Sequence, residues 1–153
     1  MAEKKLFAVD LGASGGKCFV GFFGEGTFRM EEVHRFAHEG VSFFLQDRSG
    51  DVTERTCWDD TYIYQNIVKG LQAARRQYGA TLDGIGIDTW GADGHLVTAD
   101  GDVLGKVYCY RDHRLDTMCD EVKARIDAEK VYAVTGNHFQ PFNQSNQLLW
   151  VAT

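Results

Sequence analysis

The sequence predicts an α/β domain built on a mixed central sheet, and three observations lead to that fold class. Two apolar runs, 6–9 and 18–23, flank a glycine-rich turn and therefore predict antiparallel strands. A long helical pattern follows, and a short apolar run at 85–89 then predicts a further, buried strand. A Rossmann unit would send its first strand directly into a helix, so this order of elements argues against that fold.

The middle of the chain predicts a third strand, an irregular stretch and one long helix. Residues 32–36 are expected to form the strand, whereas 39–58 mix aromatic and polar residues without a clear period. Asp59 or Asp60 can cap the helix, and Tyr78-Gly79 can end it. Its core-facing stripe is predicted to be Ile63, Ile67, Leu71 and Ala74, widened by Tyr64 and Val68.

The last third of the chain predicts a hairpin followed by short helices. The Asp-Gly pair within 99–102 favours a turn that joins strands at 95–98 and 103–110. Helical spacing then returns at about 116–126, at 131–134 and from 145 onward.

Composition limits the function classes. A length of 153 residues suits one domain, and the formal net charge of -6 with scattered Lys and Arg argues against a nucleic-acid partner. No apolar run approaches the roughly 20 residues needed to cross a bilayer, so no membrane partner is expected. Four widely separated cysteines without a C-x-x-C pair predict free thiols and a cytoplasmic protein.

The first candidate binding motif is the glycine-rich segment 10–17. Glycines let the backbone approach a phosphate, and the N–H groups of a tight turn can form an anion-binding concavity. It is not a Walker loop, because Leu11 stands where that motif has glycine and Cys18 where it has Ser or Thr. Asp10, at the strand end, could hold a hydrated magnesium ion. An ordinary β-turn with a capping aspartate explains the loop equally well.

Three further clusters could bind a small ligand. In the first, Trp90 could give an apolar wall to a sugar, Gly91 close backbone contact, and Asp93 hydrogen bonds to hydroxyl groups. The others are the charged run 110–114, which could equally be a surface ion-pair cluster, and the polar-aromatic loop 136–143. Taken singly, each cluster is better explained by a structural role than by a functional one.

Together these segments resemble the FGGY family of carbohydrate kinases, and among them the rhamnulokinases most closely. Residues 9–17 (VDLGASGGK) are similar to V-D-L-G-A-S-S-G-R, and 33–36 (VHRF) to I-H-R-F. Residues 86–93 (GIDTWGAD) resemble G-I-D-T-W-G-V-D, 110–114 (YRDHR) match Y-R-D-x-R, and 136–148 (GNHFQPFNQSNQL) resemble G-I-Q-F-x-P-F-N-T-x-x-Q-L. The similar segments run in the family's order across nearly the whole chain.

The resemblance implies an actin-like ATPase (ribonuclease-H-like) domain with ATP and Mg²⁺ as cofactors. It implies transfer of the ATP γ-phosphate to a ketose hydroxyl, as in L-rhamnulose to L-rhamnulose 1-phosphate. Asp10 would lie near magnesium and Gly91 against the sugar. The triphosphate would be lined by Ala13, Ser14, Gly15, Gly16 and Lys17, and the further sugar-pocket candidates are Trp90, Asp93, Arg111, Phe139 and Asn143.

Four of the departures from the family pattern bear on the predicted binding sites. Gly15 and Lys17 replace Ser and Arg, which keeps a cation near the phosphates but loses the bidentate fork. Gly94 stands where the pattern has an aromatic residue, and Gln144 replaces a threonine. These changes leave the exact sugar open.

Family members are much longer than this chain. Residues 1–153 are therefore expected to be an incomplete amino-terminal kinase domain, the partial first domain of a two-domain kinase. The second, nucleotide-binding domain would be absent, and the catalytic base is expected beyond Thr153. We expect no measurable kinase activity from these residues alone, because phosphoryl transfer depends on positioning between closed lobes. The surface left by the missing domain could drive self-association.

Two alternatives remain at this stage. A nuclease of the ribonuclease-H type could hold two metal ions with Asp10, Asp88 and Asp93. A non-catalytic sugar-binding module would bind a sugar without any effect of ATP.

Overall fold

A computed structural model describes residues 3–153, which form two compact units. The first unit extends through Glu39 and includes Asp59–Trp90, and the second comprises Gly40–Trp58 and Gly91–Thr153. The strands are β1 (Lys4–Gly12), β2 (Gly15–Gly24), β3 (Thr27–Ala37), β4 (Gly40–Gln46), β5 (Val52–Trp58) and β6 (Gly84–Thr89). The helices are α1 (Asp60–Tyr78), α2 (Met118–Lys123), α3 (Ala128–Thr135) and α4 (Gln144–Ala152), with a 3-10 turn at His113–Leu115.

The first unit is built on a four-stranded sheet in the order β3-β2-β1-β6. β1 and β3 both pair antiparallel with β2, whereas β6 pairs parallel with β1. The two directions in one sheet confirm the predicted mixed sheet. The parallel partner follows α1 in the chain, because a parallel strand needs a crossover connection.

Helix α1 covers one face of this sheet. Asp59 caps it by accepting a hydrogen bond from the Tyr62 amide, and Gly79 follows its end at φ 85°, so both predicted boundaries are confirmed. Ile63 and Ala74 of the predicted stripe are buried, but the buried face is rotated from the rest of it, since Asn66 and Gly70 are buried and Tyr64 is exposed.

The rotation of α1 follows from close packing at Gly70. A Cβ there would stand 2.5 Å from the Cys18 sulfur and 3.2 Å from the Phe7 ring. The absence of a side chain lets the helix approach the buried residues of β1 and β2. Hydrophobic periodicity alone does not reveal that a glycine faces the core.

Strand β6 forms where expected, but its predicted burial was wrong. Ile85 and Ile87 are 59% and 57% exposed. Their partners in the register are Phe7 and Val9, so they share the face that carries α1. The helix packs on β1, β2 and β3, and the two isoleucines lie outside the area it covers.

The second unit contains two corrections to the predicted elements. The stretch predicted to be irregular holds the antiparallel ribbon β4–β5. Each strand of the ribbon has many exposed residues, so polar side chains interrupt the alternation that predicts a strand. The predicted hairpin at 95–110 is reduced to one bridge, Val97 to Val103; the chain takes a positive φ of 82° at Gly105, and Tyr108 then bridges to Cys57 of β5. The Asp-Gly turn itself forms, with Gly101 at φ 89°.

The four cysteines are free, as predicted, and three of them are buried. Burial raises the pKa of the Cys18 thiol to about 11, with a smaller contribution from the charge of Glu32. Among residues 3–153, no helix is both long and apolar enough to cross a membrane.

Candidate functional site

The glycine-rich segment is a two-residue hairpin loop at the end of the sheet. Gly12 pairs with Gly15 across the loop, and Ala13 and Ser14 form its tip. An open hollow of about 560 Å³ lies against the hairpin and is bounded on its other side by the end of β3. Asp10 and most of the predicted triphosphate residues line this hollow, namely Ser14, Gly15, Gly16 and Lys17. The prediction therefore gathered residues that share one surface.

The hollow carries positive charge at its edge. Lys17 and Arg35 both line it. The Lys17 ammonium lies 3.8 Å from the Asp10 carboxylate, but both side chains are about half exposed, so this ion pair contributes little to stability. Arg35 makes two hydrogen bonds to Glu32, of 2.9 and 2.6 Å, which fix its guanidinium. A small anion could be held here with little rearrangement of Arg35.

The glycines of the hairpin are required by packing as well as by any ligand. A Cβ at Gly15 would stand 2.6 Å from the backbone oxygen of Phe36, and one at Gly16 would stand 2.4 Å from the Phe36 ring. β3 therefore approaches the hairpin more closely than any side chain at position 15 would allow. The close approach of β3 is compatible with Gly15, which stands where the family pattern has serine, because glycine has no side chain.

Two carboxylates lie side by side next to the hairpin. Asp10 and Asp88 are direct partners in the parallel register of β1 and β6, so their side chains share one face of the sheet. Carboxylate oxygens are the ligands that magnesium prefers, and it usually combines one or two of them with phosphate oxygens and water. Within the part of the chain that the structure describes, no group of three or more His, Cys, Asp or Glu forms a metal cage. The donor set fits magnesium held jointly with phosphate.

Trp90 lies close to the hairpin through His38. The His38 ring forms a 2.8 Å hydrogen bond with the Gly12 carbonyl oxygen. The His38 backbone N–H donates a 3.2 Å hydrogen bond to the Ser14 carbonyl oxygen. The same ring stacks on the Trp90 indole with 5.6 Å between ring centroids. His38 was not among the predicted site residues, since a lone histidine at the end of a strand carries no motif.

The other predicted sugar residues lie in the second unit. Gly91 is exposed, and nothing lies within 4 Å of where its Cβ would be. Asp93 accepts a 2.8 Å hydrogen bond from the Trp58 indole N–H. Between them, the Ala92 carbonyl oxygen accepts a 2.5 Å hydrogen bond from the buried Gln147 side chain. The segment is thus held by α4 and by β5, which sequence reasoning did not foresee.

Phe139 and Asn143 share a hollow of about 250 Å³ in the same unit. Asn143 precedes α4, and its side-chain oxygen accepts a hydrogen bond from the Gln140 amide. Arg111 does not line this hollow; its guanidinium is exposed and lies 5.1 Å from the Tyr110 ring. The structure therefore brings Phe139 and Asn143 together and leaves Arg111 apart from them.

The charged run 110–114 is only partly the surface cluster that its composition allowed. Asp112 and Arg114 are buried; their side chains pair at an N–O distance of 3.5 Å, and the Arg114 amide donates a 3.0 Å hydrogen bond to the Asp112 carboxylate. Asp112 also accepts a 2.6 Å hydrogen bond from the Thr56 amide of β5. Burial lowers the pKa of Arg114, and the charge of Asp112 opposes that shift. The pair organises the loops of the second unit, as the fixed spacing of Y-R-D-x-R could have suggested.

Comparison with known proteins decides the family. Residues 31–153 match the model of the FGGY family of carbohydrate kinases, N-terminal domain. The chain belongs to the FGGY family. The glycine hairpin precedes the matched residues, but similarity to individual kinases extends over it.

Two curated FGGY kinases illustrate this similarity. The chain is 40% identical over 150 residues to a rhamnulokinase of Mannheimia succiniciproducens, covering 97% of this chain and 29% of the relative. It is 37% identical over 141 residues to a rhamnulokinase of Bacillus subtilis, covering 92% and 27%. The chain thus spans less than a third of the length of these relatives.

Solved structures of FGGY kinases share the fold. A gluconate kinase from Lactobacillus acidophilus superposes with a TM-score of 0.72 at 16% identity, covering 99% of this chain and 29% of that one. A glycerol kinase from Plasmodium falciparum, solved with ADP, gives a TM-score of 0.65 at 16% identity, covering 97% and 28%. The actin-like fold expected from the sequence is confirmed.

Family membership gives no support to the nuclease alternative. Of the three carboxylates proposed for it, Asp10 and Asp88 are neighbours in the sheet of the first unit. Asp93 belongs to the second unit, where Trp58 binds its carboxylate.

Proposed function

We propose that this chain supplies part of an ATP-dependent kinase that phosphorylates a ketose, with L-rhamnulose as the substrate. The similarity to rhamnulokinases over 97% of the chain supports the choice of sugar. The observation that carries the phosphoryl-transfer role is the hollow at the glycine hairpin, because it combines exposed backbone, two cationic side chains and an adjacent carboxylate pair.

In this proposal the first unit holds the triphosphate. Residues Ala13 to Lys17 surround the phosphates, with Lys17 and Arg35 offsetting their charge. Asp10 would hold magnesium, which would supply positive charge to offset that of the phosphates. Lys17 acts as a point charge, since ammonium lacks the planar fork of arginine.

The sugar is assigned to Gly91 and to the side chains predicted around it. Gly91 would contact the sugar through its backbone, and Trp58 would orient the Asp93 carboxylate toward a hydroxyl. Trp90, Arg111, Phe139 and Asn143 remain candidates for the same role. None of these residues is proposed as the catalytic base, so we expect the 153 residues alone to show no sugar-dependent ATP turnover. Robust turnover by the purified chain would contradict that expectation.

A binding experiment tests the nucleotide role. Isothermal titration of the chain with Mg-ADP should show saturable binding that Lys17→Met weakens by about tenfold, the usual cost of a charge-assisted contact. Lys69→Met removes an equal charge from an exposed position on α1 and should leave the affinity unchanged. Equal losses in both variants would indicate non-specific attraction and would overturn the assignment.

A separate titration with L-rhamnulose tests the sugar. We expect the ketose to bind and its aldose isomer, L-rhamnose, to bind at least about tenfold more weakly, a difference of 1.4 kcal/mol. Indistinguishable affinities, or no binding of either, would remove L-rhamnulose as the substrate while leaving the nucleotide result intact. Sugar binding that Mg-ADP never influences would favour the non-catalytic sugar-binding module.

We also propose that the chain associates with itself through the open side of β6. Among the residues described, β6 pairs only with β1, and Ile85 and Ile87 expose apolar surface beside that edge. Sedimentation should show a concentration-dependent dimer that Ile87→Lys abolishes. A monomer at high concentration would contradict the proposal.

A further inference from the structure

A cavity of about 270 Å³ in the second unit has no part in the proposed kinase site. None of the residues assigned above to ATP, magnesium or the sugar lines it. Its apolar wall includes Leu96, Leu104 and two aromatic rings, those of Tyr108 and Trp150. The rings pack edge to face with their centroids 5.4 Å apart, which gives the wall a fixed shape.

The charged residues that line this cavity are all basic. They are Arg48 and Arg114, and no Asp or Glu lines the cavity. The Arg48 and Arg114 guanidinium groups lie 5.7 and 5.3 Å from the same Trp150 ring. Asp112 compensates Arg114, whereas Arg48 forms no ion pair with any residue in 3–153 and bonds only the Val151 carbonyl oxygen. The local charge is therefore unbalanced.

Buried polar atoms at the cavity also lack protein partners. Nε of Arg114 and Nε2 of His95 are buried without a hydrogen bond to any of the residues that the structure describes. The Arg114 side chain is only 3% exposed. Buried nitrogen atoms in native proteins nearly always have a partner, and where the protein offers none, water or a ligand usually supplies it.

The cavity also coincides with two departures from the family pattern. Gly94 and Gln144 both line it, and the Gln144 amide lies over Gly94. A Cβ at position 94 would stand 2.5 Å from Nε2 of Gln144, so a larger residue there would displace that amide. Because Gly94 has no side chain, the Gln144 amide can keep its position in the wall of the cavity.

We propose that this cavity binds a small organic anion, either a carboxylate or a phosphate monoester. The charged group would lie beside Arg48, where it offsets the unbalanced positive charge. The carbon skeleton would lie against Tyr108, Trp150, Leu96 and Leu104, so we expect an inorganic ion alone to be the weaker ligand. The site is distinct from the contacts proposed for ATP and sugar, and its occupancy requires neither.

Tryptophan fluorescence gives a direct test, because Trp150 lines the cavity. The chain would be titrated at low salt with butanoate, butyl phosphate, inorganic phosphate and uncharged butanol, in the absence of nucleotide and sugar. We expect a saturable change with at least one organic anion, at least about tenfold tighter than with inorganic phosphate or butanol, and lost in Trp150→Phe. Comparison of butanoate with butyl phosphate identifies the anionic group that binds.

Two substitutions that each remove one positive charge distinguish binding in the cavity from non-specific attraction of anions to the protein. Arg48→Gln should weaken the binding about tenfold, and because Arg48 is exposed, the substitution should leave the fold intact. Arg125→Gln makes the same change of charge at an exposed residue that does not line the cavity and should have no effect. No saturable response to either organic anion, or equal weakening by both substitutions, would overturn the proposal.

Discussion

The two compact units of this chain are stabilised by different kinds of contact. In the first, a regular sheet buries Phe7, Val9, Cys18 and Val20 under one long amphipathic helix. In the second, buried polar side chains hold loops and short helices together, and Asn146 alone donates to the Gln140 and Pro141 carbonyl oxygens. The difference shows that a helix or strand that packs through regularly spaced apolar residues can be predicted from the sequence. A network of hydrogen bonds between residues far apart in the chain cannot.

The largest effect is expected where the second unit depends most on polar contact. Asp112→Asn keeps the shape of the side chain but leaves Arg114 buried without its counter-charge, so we expect a loss of about 3 kcal/mol or more in the free energy of unfolding. Urea denaturation measures it. Asp116→Asn is the matched control, because Asp116 bonds only His113 at the exposed surface. Equal effects of the two substitutions would mean that the buried pair does not organise the unit.

An intermediate effect is expected in the apolar core of the first unit. Gly70→Ala would place a methyl group 2.5 Å from the Cys18 sulfur and 3.2 Å from the Phe7 ring, so α1 must move away from the sheet. Overpacking of this kind costs about 1–3 kcal/mol. Gly86→Ala in β6 is the control, since nothing lies within 4 Å of the added carbon. If Gly70→Ala is as stable as wild type, the helix does not pack as closely as described.

The smallest effect is expected at the start of α1. Asp59→Ala removes the acceptor of the Tyr62 amide hydrogen bond and should cost about 1 kcal/mol of stability. Asp59→Ser, which keeps a capping oxygen, should recover most of it. Thermal denaturation followed by circular dichroism measures both. No difference between the alanine and serine variants would contradict the assignment of the cap.

The sequence predicted the elements of the first unit better than those of the second. The hairpin, the boundaries of α1 and the mixed sheet were predicted because they depend on local glycines, caps and period. The face of α1 was not, since the packing of Gly70 against Cys18 depends on two segments far apart in the chain. The ribbon β4–β5 was missed because its exposed faces carry polar residues.

The candidate site shows the same limits. The hollow around 10–17 was predicted because its residues are contiguous. Arg35 belongs to the segment that resembles I-H-R-F, but its position beside the hollow depends on the pairing of β2 with β3, which the segment alone does not reveal. Asp93 was predicted as a ligand contact, but its partner Trp58 lies 35 residues earlier and could not be inferred from spacing.

The central claim is that the glycine hairpin of the first unit holds the phosphates of ATP. NMR titration of the ¹⁵N-labelled chain with Mg-ADP tests it most directly, because each backbone amide reports separately. The account predicts that the largest shifts fall on residues 12–17 and on Arg35, with little change across α4. Saturable binding whose shifts lie outside residues 10–17 and the end of β3 would contradict it.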